Sequence, residues 1–273
     1  MCGSEGTLGI ITKVTLKLHP IPSFVSAAVC SFETLHKAAE AVAAIRQMGI
    51  DVTRLELLDA TSIDAFNRYS PDVPDMKLKP HLFLEFSGAS EMSVQELSSL
   101  AESICCQDFN ADNFQIETSE AARRSLWAAR HQLYYASIAL RPGASNALIT
   151  DACVPLSRFA DLVQATADDV EELKLIATCF GHAGDGNFHC ILPVLPDDSP
   201  EYMERIMTLS DRLVHRTLAV GGTCTGEHGV GYGKIKYLTQ QYNEGTINMM
   251  RHIKQALDPL NLMNPGKIVS IFK

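Results

Sequence analysis

The chain has 273 residues, of which 46% are hydrophobic and 20% are charged, a composition typical of a globular protein with one large or two small domains. Its net charge of −9 argues against nucleic-acid binding, because phosphate backbones are bound by clustered lysines and arginines and the sequence has no such cluster. No apolar run approaches the roughly 20 residues that cross a bilayer. The N-terminal residues resemble neither a signal peptide nor a transit peptide, so the sequence predicts no transmembrane and no targeting segment.

The eight cysteines are spread along the chain without a C-x-x-C pair. Disulfide frameworks belong to small secreted domains that cannot build a sufficient core, and this chain is much longer than those. We therefore interpret the cysteines as reduced, mostly buried thiols of an intracellular protein.

The first predicted element is a strand over residues 9–20, where apolar and polar side chains alternate. The same pattern predicts further strands over residues 25–32, 53–60, 81–88, 113–118, 146–155, 174–180 and 187–194. Apolar residues at helical spacing predict helices over residues 35–48, 94–104, 119–137, 156–170, 202–213 and 246–257. A capping box of Ser93 and Glu96 is predicted to start the second of these helices.

Strands that alternate with helices, together with some adjacent strands, predict an α+β fold. Its antiparallel or mixed sheet is expected to carry helices mainly on one face. No G-x-G-x-x-G sequence opens a helix after a strand, so no Rossmann nicotinamide site is predicted.

Two glycine-rich stretches carry the residues that predict a metal site. In "GHAGDGNFHC", residues 181–190, His182 and His189 bracket a compact turn, and neutral imidazole is a common ligand of zinc and similar ions. In "GGTCTGEHGVGYGK", residues 221–234, Glu227 and His228 are adjacent. Because neighbouring side chains of extended backbone point to opposite sides, one is expected to bind a metal while the other faces a substrate.

His182, His189 and Glu227 form a two-histidine, one-carboxylate set, which leaves coordination positions open for water or substrate. The H-x6-H spacing is not a standard zinc motif, so hydrogen-bonded structural histidines remain an alternative. A structural zinc bound by Cys179, Cys190 and Cys224 is disfavoured, because these cysteines occupy apolar, strand-like positions.

A third candidate lies on the predicted helix over residues 119–137. Trp127, Arg130 and Tyr134 share one helix face, and an arginine flanked by aromatic rings is suited to hold a carboxylate by paired hydrogen bonds. The alternative is an arginine that only stacks over the single tryptophan of the chain.

Long stretches of the chain resemble the C-terminal part of FAD-linked oxidases of the vanillyl-alcohol-oxidase type, and most closely the cytochrome-linked D-lactate dehydrogenases. They occur in family order over nearly the whole length: "GSEGTLGIITKVTLKLHP", "RSLWAARH", "TDACVPLSR", "GHAGDGNFHCIL", "GTCTGEHGVGYGK" and "LDPLNLMNPGK". The resemblance implies a remnant of the FAD-binding domain in residues 1–20. It implies a substrate- and metal-binding domain of ferredoxin-like repeats in residues 21–273.

The resemblance also assigns roles to the candidate residues. His182, His189 and Glu227 look like ligands of a divalent metal, zinc or manganese. His228 looks like the catalytic base, and Arg130 like the residue that binds the substrate carboxylate. Residues expected to contact the flavin are Gly3, Ser4, Gly6, Thr7, Gly9 and Asn264. Residues expected to line the substrate site beside Arg130 are Tyr134, Ile149 and Ile191.

Two apolar residues favour a small monocarboxylate. The related 2-hydroxyglutarate dehydrogenases carry a lysine at the position of Ile149 and an asparagine at that of Ile191, which hold a second carboxylate. The resemblance therefore implies oxidation of D-lactate to pyruvate by FAD, with electrons passed to cytochrome c in the mitochondrion. The family's FAD pyrophosphate loop precedes the matched segment, so the chain is expected to be the substrate and metal half.

Three alternatives remain open at this point. One is activity on D-2-hydroxyglutarate. Another is a metal-dependent hydrolase, in which the same three ligands activate a water molecule and no flavin is needed. The third is an inactive module that binds metal or carboxylate without turnover.

Overall fold

The computed structural model describes residues 1–71 and 73–271, so residue 72 and the last two residues of the predicted C-terminal domain lie outside the described part. The strands are β1 (Phe24–Ser31), β2 (Arg54–Leu58), β3 (His81–Gly88), β4 (Asp112–Glu117), β5 (Asn146–Ile149), β6 (Ala152–Cys153), β7 (Thr178–Gly181) and β8 (Asn187–Val194). The α-helices are α1 (Leu35–Gln47), α2 (Ala60–Tyr69), α3 (Glu91–Ser103), α4 (Glu120–Ala139), α5 (Leu156–Glu172), α6 (Pro200–Ala219), α7 (Ile235–Gln241) and α8 (Glu244–Leu257).

The strands form one antiparallel sheet in the order β4-β1-β3-β2-β7-β8-β5, and β6 pairs separately with β8. The first four strands have the order of a ferredoxin-like unit. β5, β7 and β8 repeat three strands of that arrangement, and the two repeats join where β2 pairs with β7. This junction matters for function, because the residue pair Leu57 and Gly181 brings Glu56 beside His182.

Helices cover both faces of the sheet, and more of them pack on one face than on the other. α1, α3, α5 and α6 pack on one face through apolar side chains such as Ile45, Phe159 and Leu209. α2 and α4 cover the other face, where Phe66 and Trp127 enter the core. The predicted α+β architecture with an antiparallel sheet is confirmed.

Short polar side chains fix the starts of several helices. Thr34, Asp59, Ser119 and Asn243 each accept a hydrogen bond from a backbone amide three residues along the chain. The predicted capping box of Ser93 and Glu96 is wrong. Helix α3 begins one turn earlier, with Ser90 as the cap and Ser93 as its reciprocal partner.

Other differences from the predicted elements have physical causes. The strand predicted over residues 9–20 pairs with none of the described residues, and its apolar side chains are largely exposed. The strand predicted over residues 146–155 is interrupted at Thr150 and Asp151, whose polar groups serve the site described below. Helices α2 and α7 were not predicted.

None of the helices in the described ranges combines the length and apolar character needed to cross a bilayer.

Candidate metal and substrate site

The glycine-rich stretch over residues 181–190 covers the end of β7, the connection to β8 and the start of β8. A single 3-10 turn over Ala183–Asp185 reverses the chain, and Gly186 has a left-handed φ of +74°. A Cβ atom at Gly186 would overlap the carbonyl oxygen of Val154, and one at Gly181 would overlap the backbone of Phe188. The glycines therefore permit a tight turn that no other residue fits, and this turn holds His182 and His189 at the end of the sheet.

His182, His189 and Glu227 converge, as predicted. One potential ligand atom from each lies within 4.8 Å of the others. The Oε1 atom of Glu227 lies 3.0 Å from Nε2 of His189 and 3.6 Å from Nε2 of His182. Within the described part of the chain, this is the one group of such residues close enough to hold a metal ion. The alternative cysteine site is absent there: Cys179 and Cys190 face each other inside the core.

The hydrogen bonds of the His182 and His189 rings leave one lone pair of each ring facing the Glu227 carboxylate. Nδ1 of His189 lies 3.0 Å from the Thr150 carbonyl oxygen, and Nδ1 of His182 lies 2.5 Å from Oε1 of Glu56. Both Nδ1 atoms must carry the proton, because each faces an acceptor. Nε2 of His189 is buried and lacks a partner with hydrogen-bond geometry, although the carboxylate is near. Three unprotonated atoms that face one another fit a divalent cation, and this donor set suits zinc or manganese.

The electrostatics of the ligands follow from their neighbours. Burial raises the pKa of Glu56, but the hydrogen bond with His182 and the charge of Arg130 outweigh it, so this pKa lies below its usual range. The same hydrogen bond raises the pKa of His182. Burial lowers the pKa of His189, which favours the neutral ring that binds metals.

Asp151 anchors the loop that carries Glu227 and His228. Its Oδ2 atom accepts hydrogen bonds from the backbone amides of Glu227 (3.1 Å) and His228 (2.9 Å) and from the hydroxyl of Thr225 (2.8 Å). Burial alone raises the pKa of Asp151, but these bonds and the charge of Lys234 lower it to about 2. This anchor was not predicted from the sequence, although an acidic residue within a predicted apolar strand is a signal that could have suggested it.

His228 lies against the metal ligands rather than on the opposite side of the backbone from Glu227. Its ring stacks on that of His189, with ring centres 4.7 Å apart and planes within 4°. Nε2 of His228 lies 3.7 Å from Oε1 of Glu227. The expectation that the two neighbours diverge is wrong, because residues 225–231 form irregular turns and not a strand. Both side chains reach the same site.

Arg130 lies at the edge of this site. Its Nε atom donates to Oε2 of Glu56 at 2.8 Å, and its guanidinium carbon lies 4.8 Å above the ring of Phe180. The alternative in which Arg130 stacks over Trp127 is wrong, because Arg54 occupies that position at 5.2 Å.

A cavity of about 410 Å³ adjoins Arg130 and is lined also by Trp127, His182 and His131. Tyr134 lies one turn further along α4, half-exposed, with its ring edge-on to that of Tyr135. Ile149 and Ile191 pair across β5 and β8. Ile191 is only 2% exposed, so it packs in the core beside Phe180.

The residues expected to contact the flavin form one cluster beside the Glu227 loop. Glu5 accepts hydrogen bonds from the amides of Val230 (2.6 Å) and Gly231 (2.9 Å). The Asn264 side chain donates to the Glu5 carbonyl oxygen, and the Thr7 hydroxyl donates to the carbonyl oxygen of Ser4. Gly3, Ser4 and Thr7 line a cavity of about 230 Å³, Gly6 faces Asn264, and Gly9 lies near Met1.

Comparison with known proteins gives the context of this geometry. Residues 21–268 match the family described as FAD linked oxidases, C-terminal domain. The chain is 42% identical over 98% of its length to the probable mitochondrial D-lactate dehydrogenase of Danio rerio, and 39% identical over 98% to the mitochondrial D-lactate dehydrogenase (cytochrome) of Arabidopsis thaliana. It covers 53% and 46% of these two proteins, so it spans about half the length of the relatives it matches.

Among solved structures, 4-ethylphenol oxidase from Gulosibacter chungangensis is similar in fold, with a TM-score of 0.67 and 16% identity. The match covers 93% of this chain and 55% of that one. The family match and the identity to the curated relatives agree with the geometry of the site. The chain therefore belongs to the family of the FAD-linked oxidase C-terminal domains.

Proposed function

We propose that this chain is the substrate- and metal-binding half of an FAD-dependent dehydrogenase that oxidises D-2-hydroxy acids, with D-lactate as the preferred substrate. The observation that carries the proposal is the shared carboxylate of Glu56, which places a three-ligand cation site and a carboxylate-binding arginine in one continuous site. A 2-hydroxy acid carries the two groups that such a site recognises, a hydroxyl and a carboxylate on adjacent carbons.

The residues have separate roles in this reaction. Arg130 holds one end of the substrate carboxylate through its terminal nitrogens and so fixes the orientation of the acid. His228 accepts the hydroxyl proton at its ring nitrogen, since its ring lies against the metal ligands and is partly open to solvent. A bound divalent cation lowers the pKa of a substrate hydroxyl, and the flavin of this family is the hydride acceptor. Loss of one proton and one hydride converts D-lactate to pyruvate.

The apolar pair of Ile149 and Ile191 supports a small monocarboxylate over D-2-hydroxyglutarate, because neither side chain can hold a second carboxylate. The names of the matched relatives support a mitochondrial location, and the name of the Arabidopsis thaliana protein supports a cytochrome as the electron acceptor, for which we propose cytochrome c. The hydrolase alternative is not favoured, since the matched family is one of FAD-linked oxidases. An inactive binding module is likewise not favoured, because the curated relatives are named as dehydrogenases.

Substrate binding is measurable without turnover. Trp127 is the only tryptophan of the chain and lines the cavity beside Arg130, so its fluorescence reports a bound acid. We expect the Mn²⁺-loaded chain to bind D-lactate more tightly than D-2-hydroxyglutarate. Equal affinity for both acids, or no response to either, would contradict the proposed substrate. Addition of FAD, followed by desalting and a visible spectrum, tests whether the chain retains flavin and whether D-lactate bleaches it.

Substitution of Arg130 with lysine is expected to weaken D-lactate binding by about 10-fold or more, because a point charge replaces a planar fork that makes paired charge-assisted bonds. The affinity is measured by the same fluorescence titration. Arg124→Lys is the matched control, since Arg124 lies on the same helix and pairs only with Glu120 in the described structure. If both variants bind D-lactate like the unmodified chain, Arg130 does not belong to the site.

A further inference from the structure

We propose that Glu56 is a positioning residue that couples the metal ligand His182 to the substrate-binding Arg130. The inference rests on the proposed function, since it assigns these two partners their roles. Glu56 was not predicted from the sequence, and its strand, β2, contributes none of the predicted metal ligands. Glu56 itself touches neither the cation nor the substrate in this assignment.

The sheet places Glu56 at the junction of the two ferredoxin-like repeats. Glu56 lies on β2 opposite Phe83 of β3, and the next residue, Leu57, pairs with Gly181 of β7. His182 follows directly after Gly181. Glu56 is only 8% exposed and its neighbours on β2 are apolar, so a carboxylate at this position requires partners.

Each carboxylate oxygen serves a different partner. Oε1 lies 2.5 Å from Nδ1 of His182, and Oε2 accepts the Nε–H of Arg130 at 2.8 Å. Neither partner touches the other directly in the described structure. The side chain of Glu56 is therefore the direct link between the cation site and the arginine.

For His182, the bond to Glu56 selects the ring tautomer. A proton on Nδ1 leaves the lone pair on Nε2, which is the atom that faces Glu227. Carboxylate partners of metal-bound histidines fix ring orientation in the same way, and their loss typically lowers metal affinity about 10- to 100-fold.

For Arg130, the bond to Glu56 uses only Nε. The guanidinium carbon also lies 4.8 Å from the centre of the Phe180 ring, so the group is held from two directions. No other hydrogen bond of Arg130 occurs among the described residues, and both terminal nitrogens remain available for a substrate carboxylate. Because one carboxylate holds both groups, a shift of either partner is transmitted to the other.

The contacts of Glu56 with His182 and Arg130 require that each carboxylate oxygen accept a hydrogen bond. A glutamine at this position would present an amide NH₂ to either His182 or Arg130, and both offer donors. Glu56→Gln therefore keeps the size of the side chain and disrupts one contact. We expect this to be the contact with His182, because the amide oxygen stays with the charged guanidinium of Arg130 and the NH₂ then faces Nδ1. Glu85→Gln is the matched control, since Glu85 is a comparably buried acid on β3 that pairs with Arg54 and contacts neither partner.

The experiment compares the 273-residue chain with these two variants. Mn²⁺ affinity is measured by calorimetry, D-lactate affinity by Trp127 fluorescence, and the tautomer of His182 by ¹⁵N chemical shifts at a pH where the ring is neutral. The signal is assigned by its loss in His182→Gln. For Glu56→Gln we expect Mn²⁺ binding weakened about 10- to 100-fold, weaker D-lactate binding, and a shift of the His182 proton towards Nε2. For Glu85→Gln we expect no change in Mn²⁺ affinity, D-lactate affinity or the tautomer of His182.

The inference is overturned if folded Glu56→Gln binds Mn²⁺ and D-lactate like the unmodified chain and keeps the proton on Nδ1. Should Glu56→Gln not fold, Glu56→Asp replaces it, and a Glu56→Asp protein with unchanged affinities for both ligands is the overturning result. Failure of the proposed function is distinct: the unmodified chain would then bind no Mn²⁺, or would bind it equally well without His189.

Discussion

Replacement of Asp151 with alanine is expected to abolish Mn²⁺ binding and to lower the free energy of unfolding by about 3 kcal/mol. Asp151 is buried, and its Oδ2 atom accepts bonds from the backbone amides of Glu227 and His228 and from the Thr225 hydroxyl. Alanine leaves these donors and the Lys234 charge without their acceptor. The loop then loses the geometry that aims Glu227 at the two histidines. Calorimetric Mn²⁺ titration and urea unfolding measure the two effects.

Asp198→Ala is the control that separates stability from metal binding. Asp198 lies beyond the C-terminal end of β8, and its side chain, which is 7% exposed, accepts bonds from Arg141 and from the amide of Leu195. We expect this variant to be destabilised but to bind Mn²⁺ normally. If Asp151→Ala retains full Mn²⁺ affinity, Asp151 does not position the loop.

Gly186→Ala is expected to disrupt both the fold of the β7–β8 turn and the cation site. An alanine at a φ of +74° costs about 1–2 kcal/mol by itself, and its Cβ would also overlap the carbonyl oxygen of Val154. The overlap forces the turn to move, and His182 lies at its start while His189 lies three residues after Gly186 on β8. Thermal unfolding should show a loss of stability larger than the cost of backbone strain alone, together with weaker Mn²⁺ binding.

Gly221→Ala is the matched control for this prediction. Gly221 has a similar φ of +80°, but a Cβ there would meet nothing within 4 Å. It therefore reports the cost of backbone strain alone. Equal destabilisation by the two substitutions would show that the contact with Val154 does not constrain the turn.

The convergence of His182, His189 and Glu227 could be predicted from the sequence because the signal was local. Glycines exclude a helix around His182 and His189, and a second glycine-rich loop with Glu227 offers a complementary carboxylate. It did not predict Glu56 or Asp151, since each acts on residues more than 70 positions away and only the sheet register brings them together. An acidic residue within an apolar, strand-like stretch is visible in the sequence, but the residues that pair with it are not.

The fold was predicted well where a strand or helix has a clear beginning and end. β3 and β8 begin and end at the predicted residues because Pro80 and the glycine turns limit them. The strand predicted over residues 9–20 has the same alternation but pairs with none of the described residues. Alternation indicates that a segment is suited to a sheet, and pairing depends on residues elsewhere. Helix α2 was missed because its cap, Asp59, lies inside the segment that was read as a strand.

The most direct test of the site is the relaxation rate of water protons in a solution of the chain with Mn²⁺. Water bound to the chelated ion relaxes quickly, and a 2-hydroxy acid that binds to the ion displaces this water. If His182, His189 and Glu227 hold a cation that a 2-hydroxy acid reaches, Mn²⁺ enhances relaxation, D-lactate reduces the enhancement, and His189→Ala abolishes it. An enhancement that persists in His189→Ala, or one that D-lactate leaves unchanged, would contradict the assignment.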